Sequence, residues 1–162
     1  MNETGRDIAA RADWSRMFKV AVIPAGYSIA LPADFLKLAD SAPVWLDKPT
    51  FKAVRRAMEP EQWAFLSKMA SVQPYFYMEN GALTFAPPID ADGGRLRYLS
   101  NAWSDAGAAI TQNGDNFLIP ERLIVSGTVY RWNRQKGLPF DDIMAEHEAD
   151  ILDEIAMDRG AQ

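Results

Sequence analysis

The run Pro74-Tyr-Phe-Tyr-Met-Glu-Asn-Gly-Ala-Leu-Thr-Phe-Ala86 carries the strongest structural signal in the chain. Two strand-like segments flank Asn80-Gly81. An Asn-Gly pair in that position predicts a type I′ hairpin turn, because both central residues must take positive φ. Phe76 and Met78 fall on one face of the first segment, and Leu83 and Phe85 on one face of the second, so one side of the hairpin is predicted to be buried. Pro87-Pro88 is read as the end of the second strand, since proline brings no N–H to a ladder. Asp90-Ala-Asp-Gly-Gly94 is then a turn, and Arg95 to Leu99 a third strand.

Upstream of the hairpin, Tyr27, Ile29 and Leu31 alternate with small residues, the period of a half-buried strand. Pro32 closes that strand. Asp34 suits the first turn of a helix, so Phe35, Leu36 and Leu38 are expected to turn helical apolar surface back onto the strand. Val44-Trp45-Leu46 and Thr50 to Met58 read as short strands, although Lys52 to Met58 fits a helix too. Glu59-Pro60-Glu61 opens a short helix with Trp63, Leu66, Met69 and Ala70 on its apolar side.

Both ends of the chain carry the helical period. Thr4 with Asp7 resembles a capping box for a first helix with Ile8, Ala12 and Ser15 on one face, Ala10, Trp14 and Met17 beside it, and Phe18 extending the apolar stripe. Pro120 starts a long helix that stops at Lys136-Gly137. Leu123, Gly127 and Tyr130 line one of its faces, and Val125, Val129 and Trp132 another, which predicts burial between neighbours. Gly127 costs about 1 kcal/mol relative to alanine inside a helix, so another backbone is expected to approach it closely. The last helix carries Phe140, Met144, His147, Ile151 and Ile155 as its stripe. After the short Leu138-Pro139-Phe140 connection it should pack antiparallel on its predecessor. Between sheet and helices, Asn101 to Asn116 is a loop rich in Asn, Asp, Gly and Ser, expected to be mobile until a neighbour orders it. The fold class is therefore α+β: a bundle of N- and C-terminal helices, 1–20 and 117–160, with an inserted antiparallel β-sheet region at about 27–103, all in one domain.

Composition narrows the chemistry. There are 162 residues, enough for one self-sufficient core. The chain lacks cysteine, which excludes disulfides and thiolate metal sites, and His147 is its one histidine, which excludes a multi-histidine site within one chain. A net charge of −5 speaks against bulk attraction to DNA or an anionic membrane. The N-terminus has no apolar core of a secretory signal, and no apolar run approaches the roughly 20 residues of a membrane span.

No motif points to catalysis. Asp90-Ala-Asp92-Gly93 is a fragment of a calcium loop without its further ligands, and a turn explains it better. The many carboxylates of the last helix lack the burial that tunes a catalytic pair. His147 lies on an apolar seam, where a satisfied structural histidine is the ordinary case. Lys52, Arg55 and Arg56 are too few for a nucleic-acid footprint. With no catalytic, cofactor or metal residues to assign, the residues favour a structural or interaction protein over an enzyme.

A set of ordered segments carries a resemblance: Leu31-Pro-Ala-Asp-Phe35, Trp45 with Glu61-Gln-Trp63, the hairpin from Pro74 to Pro88, Tyr98 to Trp103, and Phe117-Leu-Ile-Pro-Glu-Arg-Leu123. Gly127-Thr-Val-Tyr-Arg-Trp132 with Lys136-Gly-Leu-Pro-Phe140, and the stretch on to Glu148 and Asp158-Arg-Gly160, complete it. In their order and spacing the chain resembles the head-to-tail adaptor (connector, head-completion) proteins of tailed bacteriophages. The resemblance implies a structural virion protein that forms a ring, usually dodecameric, beneath the portal protein and joins head to tail or neck proteins. It implies a lumen that passes viral DNA without sequence-specific binding, a place at the virion neck after assembly in the host cytoplasm, no membrane, no cofactor and no enzymatic activity. Similar proteins carry a further helical stretch before the helix that ends near Trp14, so a shorter bundle or a later start is expected here. The portal or ring interface is expected to draw on Glu148, Asp153, Glu154, Arg131, Arg134 and Trp103. The alternative is a small soluble ligand-binding or enzymatic α+β domain, which needs a tryptophan-lined pocket with converging polar groups.

Overall fold

A computed structural model describes residues 1–47, 52–69, 73–112 and 114–160. In chain order it has α1 (Asn2–Arg11), a 3₁₀ turn (Ser15–Met17), β1 (Phe18–Ile23), β2 (Gly26–Ala30), β3 (Phe35–Leu38), β4 (Val44–Leu46), β5 (Lys52–Ala53) and β6 (Arg55–Arg56). Then follow α2 (Pro60–Leu66), β7 (Tyr75–Glu79), β8 (Ala82–Ile89), β9 (Gly94–Ser100), α3 (Glu121–Lys136) and α4 (Asp141–Gly160). The expected α+β class holds. The expectations for Lys48 to Phe51, Ala70 and Asn113 lie outside the described residues. The chain divides into two units, Met1–Phe18 with Ser100–Gln162, and Lys19–Leu99.

The sheet unit is built on the hairpin. Asn80 and Gly81 take φ of 50° and 73°, the two positive values the turn requires. β7 and β8 pair antiparallel from Tyr75↔Ala86 to Glu79↔Ala82. Two sheets result, one ordered β2-β8-β7-β6, the other β1-β9-β4-β5 with β3 also on β9. Their apolar faces merge in one core that includes Ile23, Val44, Leu46, Phe76, Leu83, Phe85, Ile89 and Leu96. On β9, Leu96 and Tyr98 are buried while Arg95 and Arg97 are exposed, the alternation of a strand with one covered face.

Several sequence expectations need correction. The insertion is not wholly antiparallel: β6 pairs parallel with β7, Arg55↔Tyr75 and Arg56↔Phe76. Parallel neighbours need a crossover, and α2 lies in it. Nor do Pro87-Pro88 end the second strand. β8 runs on to Ile89, and its ladder to β2 jumps from Ser28↔Thr84 to Gly26↔Ile89, so both prolines fall in the irregular stretch where no ladder N–H is needed. The helical N-terminal part stops at Arg11 rather than near residue 20, because Ala12 turns to extended backbone and Phe18 already belongs to β1. Thr4 and Asp7 form no capping box; the helix has no side-chain cap.

The segment Phe35–Leu38 is a strand, not a helix. Its pairing partner is β9, where Phe35 stacks on Tyr98 with ring centroids 5.8 Å apart. Asp34 does not cap a helix; its carboxylate accepts from the Tyr98 hydroxyl at 2.8 Å and from Lys19 Nζ at 2.6 Å. Burial, with the bond to Asp34 next, pushes the Tyr98 phenol up to about 12. Asp34→Ala is expected to lower that titration while leaving it above the ordinary phenol value, because burial persists, and to cost about 1–3 kcal/mol. The absorbance titration at alkaline pH, taken as a difference against Tyr98→Phe, checks it. An unchanged titration would show that Asp34 does not bind the hydroxyl.

Candidate functional site

The helical unit holds every charged residue assigned above to an interface. Its centre is Gly127, on the inward face of α3 with Leu123, Ile124 and Tyr130. A Cβ there would lie 2.5 Å from Thr4 Cγ2 and 2.9 Å from the His147 ring. The close approach expected of Gly127 is real, but it is made by side chains of α1 and α4, not by a backbone. His147 is buried, accepts or donates through Nδ1 to Ser126 Oγ at 2.8 Å, and lies against Tyr130 at 5.2 Å. It is a satisfied structural histidine. Ser126 opposite His147, and Arg122 opposite Asp150 and Glu154, show that α3 and α4 run antiparallel.

Burial lowers the His147 pKa below the ordinary imidazole value. Arg11 and Arg131 push the same way, and Glu148 and Asp150 oppose them. A depressed folded pKa means the unfolded chain takes the proton more readily. The stability held by the neutral ring is thus complete above about pH 6.5 and is lost as pH falls below it. With one histidine in the chain, the imidazole proton NMR titration reads this directly. A midpoint below the free value is expected; one at or above it would contradict the burial.

A line of charges ties the helices at their rim. Arg131 donates to Asp7 at 2.8 Å, Asp7 also takes Arg11 at 3.2 Å, and Arg11 donates to Glu148. Arg131 lies over the Tyr130 ring, 5.7 Å from its centroid. At the other end Arg122 donates to Glu154 at 2.8 Å and to Asp150 at 3.5 Å. Asp158 accepts from Ser15 N and Oγ at 2.8 and 2.6 Å, which fixes the chain just after α1. Of the acids of α4, Glu148, Asp150 and Glu154 are thus met within the subunit by Arg11 and Arg122. Of the six residues assigned to an interface, Glu148, Glu154 and Arg131 are engaged within the unit, whereas Asp153 and Arg134 project outward.

Trp103 is fully buried. It covers Gly5, stacks on Phe117 at 6.2 Å and donates Nε1–H to Ala108 O at 3.0 Å. It presents no surface to a partner. Around it the loop carries a hydrogen-bond scaffold of its own. Ser104 bridges to Gly107 and Phe117. Asp105 accepts from Asn116 N at 2.9 Å and Nδ2 at 2.8 Å. The Thr111 and Gln112 N–H groups, with the Thr111 hydroxyl, hold the Asp115 carboxyl below the usual carboxylate range. Short polar side chains bonding to nearby backbone make such a loop self-supporting.

An open groove of about 670 Å³ runs beside this loop, past Met1, Arg16, Ile110, Asp115, Phe117 and Glu121. Among the described residues no group of three or more His, Asp or Glu is placed to hold a metal ion, and no helix is long and apolar enough to cross a membrane. What the helical unit offers the outside is two exposed helix faces. On α3 the second apolar stripe, Val125, Val129 and Trp132, is solvent-exposed rather than buried between neighbours. On α4 the outward face has Ala145, Ala149, Leu152, Ala156 and Met157 with Asp142, Glu146 and Asp153. The Val125 stripe was visible in the sequence; Arg11 and Arg122 gave no local signal, because their partners are distant along the chain.

Two helix faces that leave large apolar side chains exposed are surfaces suited to contact with another protein. A family model for the SU10 adaptor protein matches residues 1–161, and the chain belongs to that family of phage head–tail adaptors. No curated protein matches the chain.

Proposed function

We propose that the chain is a non-enzymatic virion protein that forms a closed, dodecameric ring beneath the portal, joins it to tail or neck proteins and extends the DNA channel. The family match over residues 1–161 carries this reading. In it, the terminal helices make the bundle that forms the body of a single adaptor domain, with the sheet region as an insertion. The ring sits at the neck of the virion, after assembly in the host cytoplasm, away from any membrane. DNA passes through the lumen without sequence-specific contacts, and the chain's net charge of −5 suits that role, since like charge keeps DNA from adhering.

Portal docking draws on the outward charge at Arg134, with the Arg131–Asp7–Arg11–Glu148 line holding the helix that presents it. Removal of the chain after Glu148 would also delete the buried Ile151 and the Asp158 bond to Ser15, so a single charge reversal is the cleaner test. Arg134→Glu is expected to weaken docking on the portal several-fold and to flatten its salt dependence, as loss of an exposed charge contact should. Docking with unchanged affinity and salt dependence in this variant would remove Arg134 from the contact.

A further inference from the structure

The two open helix faces are complementary in shape and in charge. On α3 the outward row is large and apolar, with Val125 51% exposed, Val129 42% and Trp132 53%, and it ends on Lys136. On α4 the outward row is small or flexible: Ala145, Ala149 and Ala156, with Leu152 69% exposed and Met157 58%. It is flanked by Asp142, Glu146 and Asp153. Lys136 on the first face and these three acids on the second have no ion-pair partner among the described residues. Large apolar side chains on one helix and short ones on the other interdigitate well, and isolated valine and tryptophan surface in water is unfavourable.

We propose that the α3 face of one subunit packs on the α4 face of a second copy, and that this repeated contact closes the ring. The inference rests on the ring reading above and names the surface that reading leaves open. A contact between two different faces is heterologous, which is what a closed cyclic assembly of many copies uses. Neighbours in such a ring are related by a small rotation, so helix directions carry over almost unchanged from one copy to the next. Since α4 runs antiparallel to α3 within a subunit, the neighbour's α4 also runs antiparallel to α3. That direction sets Lys136 toward Asp142 and Glu146, Trp132 onto Ala145 and Ala149, and Val125 onto Leu152. The contact core is then largely apolar with an aromatic anchor, Lys136 and its two acids lie at one end, and Asp153 falls beside Val125.

The absence of native cysteine makes the test direct. Val129→Cys and Ala149→Cys are made as separate proteins, mixed under assembly conditions with the cognate portal, and oxidised. The expected product is a covalent dimer in the mixture and none in either protein alone; the double variant gives a ladder extending beyond dimer. A subunit-internal bond cannot produce a dimer from the mixture. Val129→Asp, at an exposed position, is expected to keep the wild-type circular dichroism and to lose at least about tenfold in subunit association, because it places an unpaired charge in an apolar contact. Lys136→Glu is expected to weaken association, and Lys136→Glu with Glu146→Lys to recover it. A Val129→Asp ring indistinguishable from wild type, or no cross-linking in the mixture while the ring forms, overturns the α3–α4 contact and leaves the ring standing. A wild-type chain that forms no oligomer, alone or on the portal, overturns the ring itself.

Discussion

Trp103→Ala is expected to cost about 3–5 kcal/mol, the range for emptying a buried tryptophan site. The indole is wholly out of solvent and has three separate roles. It fills the space over Gly5, where a Cβ would sit 2.6 Å from the ring; it stacks on Phe117; and it donates to Ala108 O. Truncation leaves a cavity, and reduces Ala108 O to the 3.5 Å bond from Arg6 Nε, at the point where α1 meets the loop of residues 101–116. Denaturant unfolding gives the magnitude. Hydrogen exchange of the loop amides gives the location, with protection at Ser104, Gly107 and Leu118 expected to fall first. Gly5→Leu should have a comparable effect, because the ring must move to admit the side chain. A Trp103→Ala protein within about 1 kcal/mol of wild type would show that the indole is not the support of this loop.

Gly127→Leu is expected to cost about 3 kcal/mol or more, the upper range for overpacking a filled core. Even alanine should destabilise here. On helix propensity alone, Gly→Ala in a helix interior gains about 1 kcal/mol. Against that gain stand contacts of 2.5 Å to Thr4 and 2.9 Å to His147, both of them buried and held by hydrogen bonds. Relief means moving α1 or α4 away from α3. Thermal unfolding of Gly127→Ala decides the sign: a lower midpoint means packing dominates, and a higher one means the helices adjust and propensity dominates. A Gly127→Ala/Thr4→Ser pair, which removes the nearest methyl, should recover part of the loss if the clash is its cause.

What the sequence revealed and what it hid divide along the range of the forces involved. The hairpin is set by Asn80-Gly81 and by alternation over a few residues, and the structure follows it residue for residue. The ends of α3 are equally local: Pro120 at its start, and Gly137 at φ 69° with Leu138 N–H bonded back to Asn133 O at 2.9 Å. The segment Phe35–Leu38 has the same apolar spacing whether it coils or extends. The decision comes from β9 and from Tyr98 and Lys19, which claim Asp34 from other parts of the chain. The end of α1 was hidden for a related reason. Trp14 and Met17 keep the helical spacing, but Trp14 reaches its buried position by folding its indole back to donate to Ile8 O at 3.1 Å.

The candidate surface was legible in part. The acids of α4 and the second apolar row of α3 are plain in the sequence. Which acids are neutralised within the subunit is not, because Arg11 and Glu148 are far apart in the chain and Arg122 finds Glu154 only across a helix pair. Within the described residues Glu148 and Glu154 are ion-paired while Asp142, Glu146 and Asp153 are not, and it is the latter three that the proposed contact uses.

The central claim is tested most directly by electron microscopy of the purified chain mixed with the portal of its own virus. The expected image is a closed ring of this protein seated coaxially on the portal with an open channel through both. Portal particles that stay bare at concentrations where the chain is folded and monomeric would contradict it.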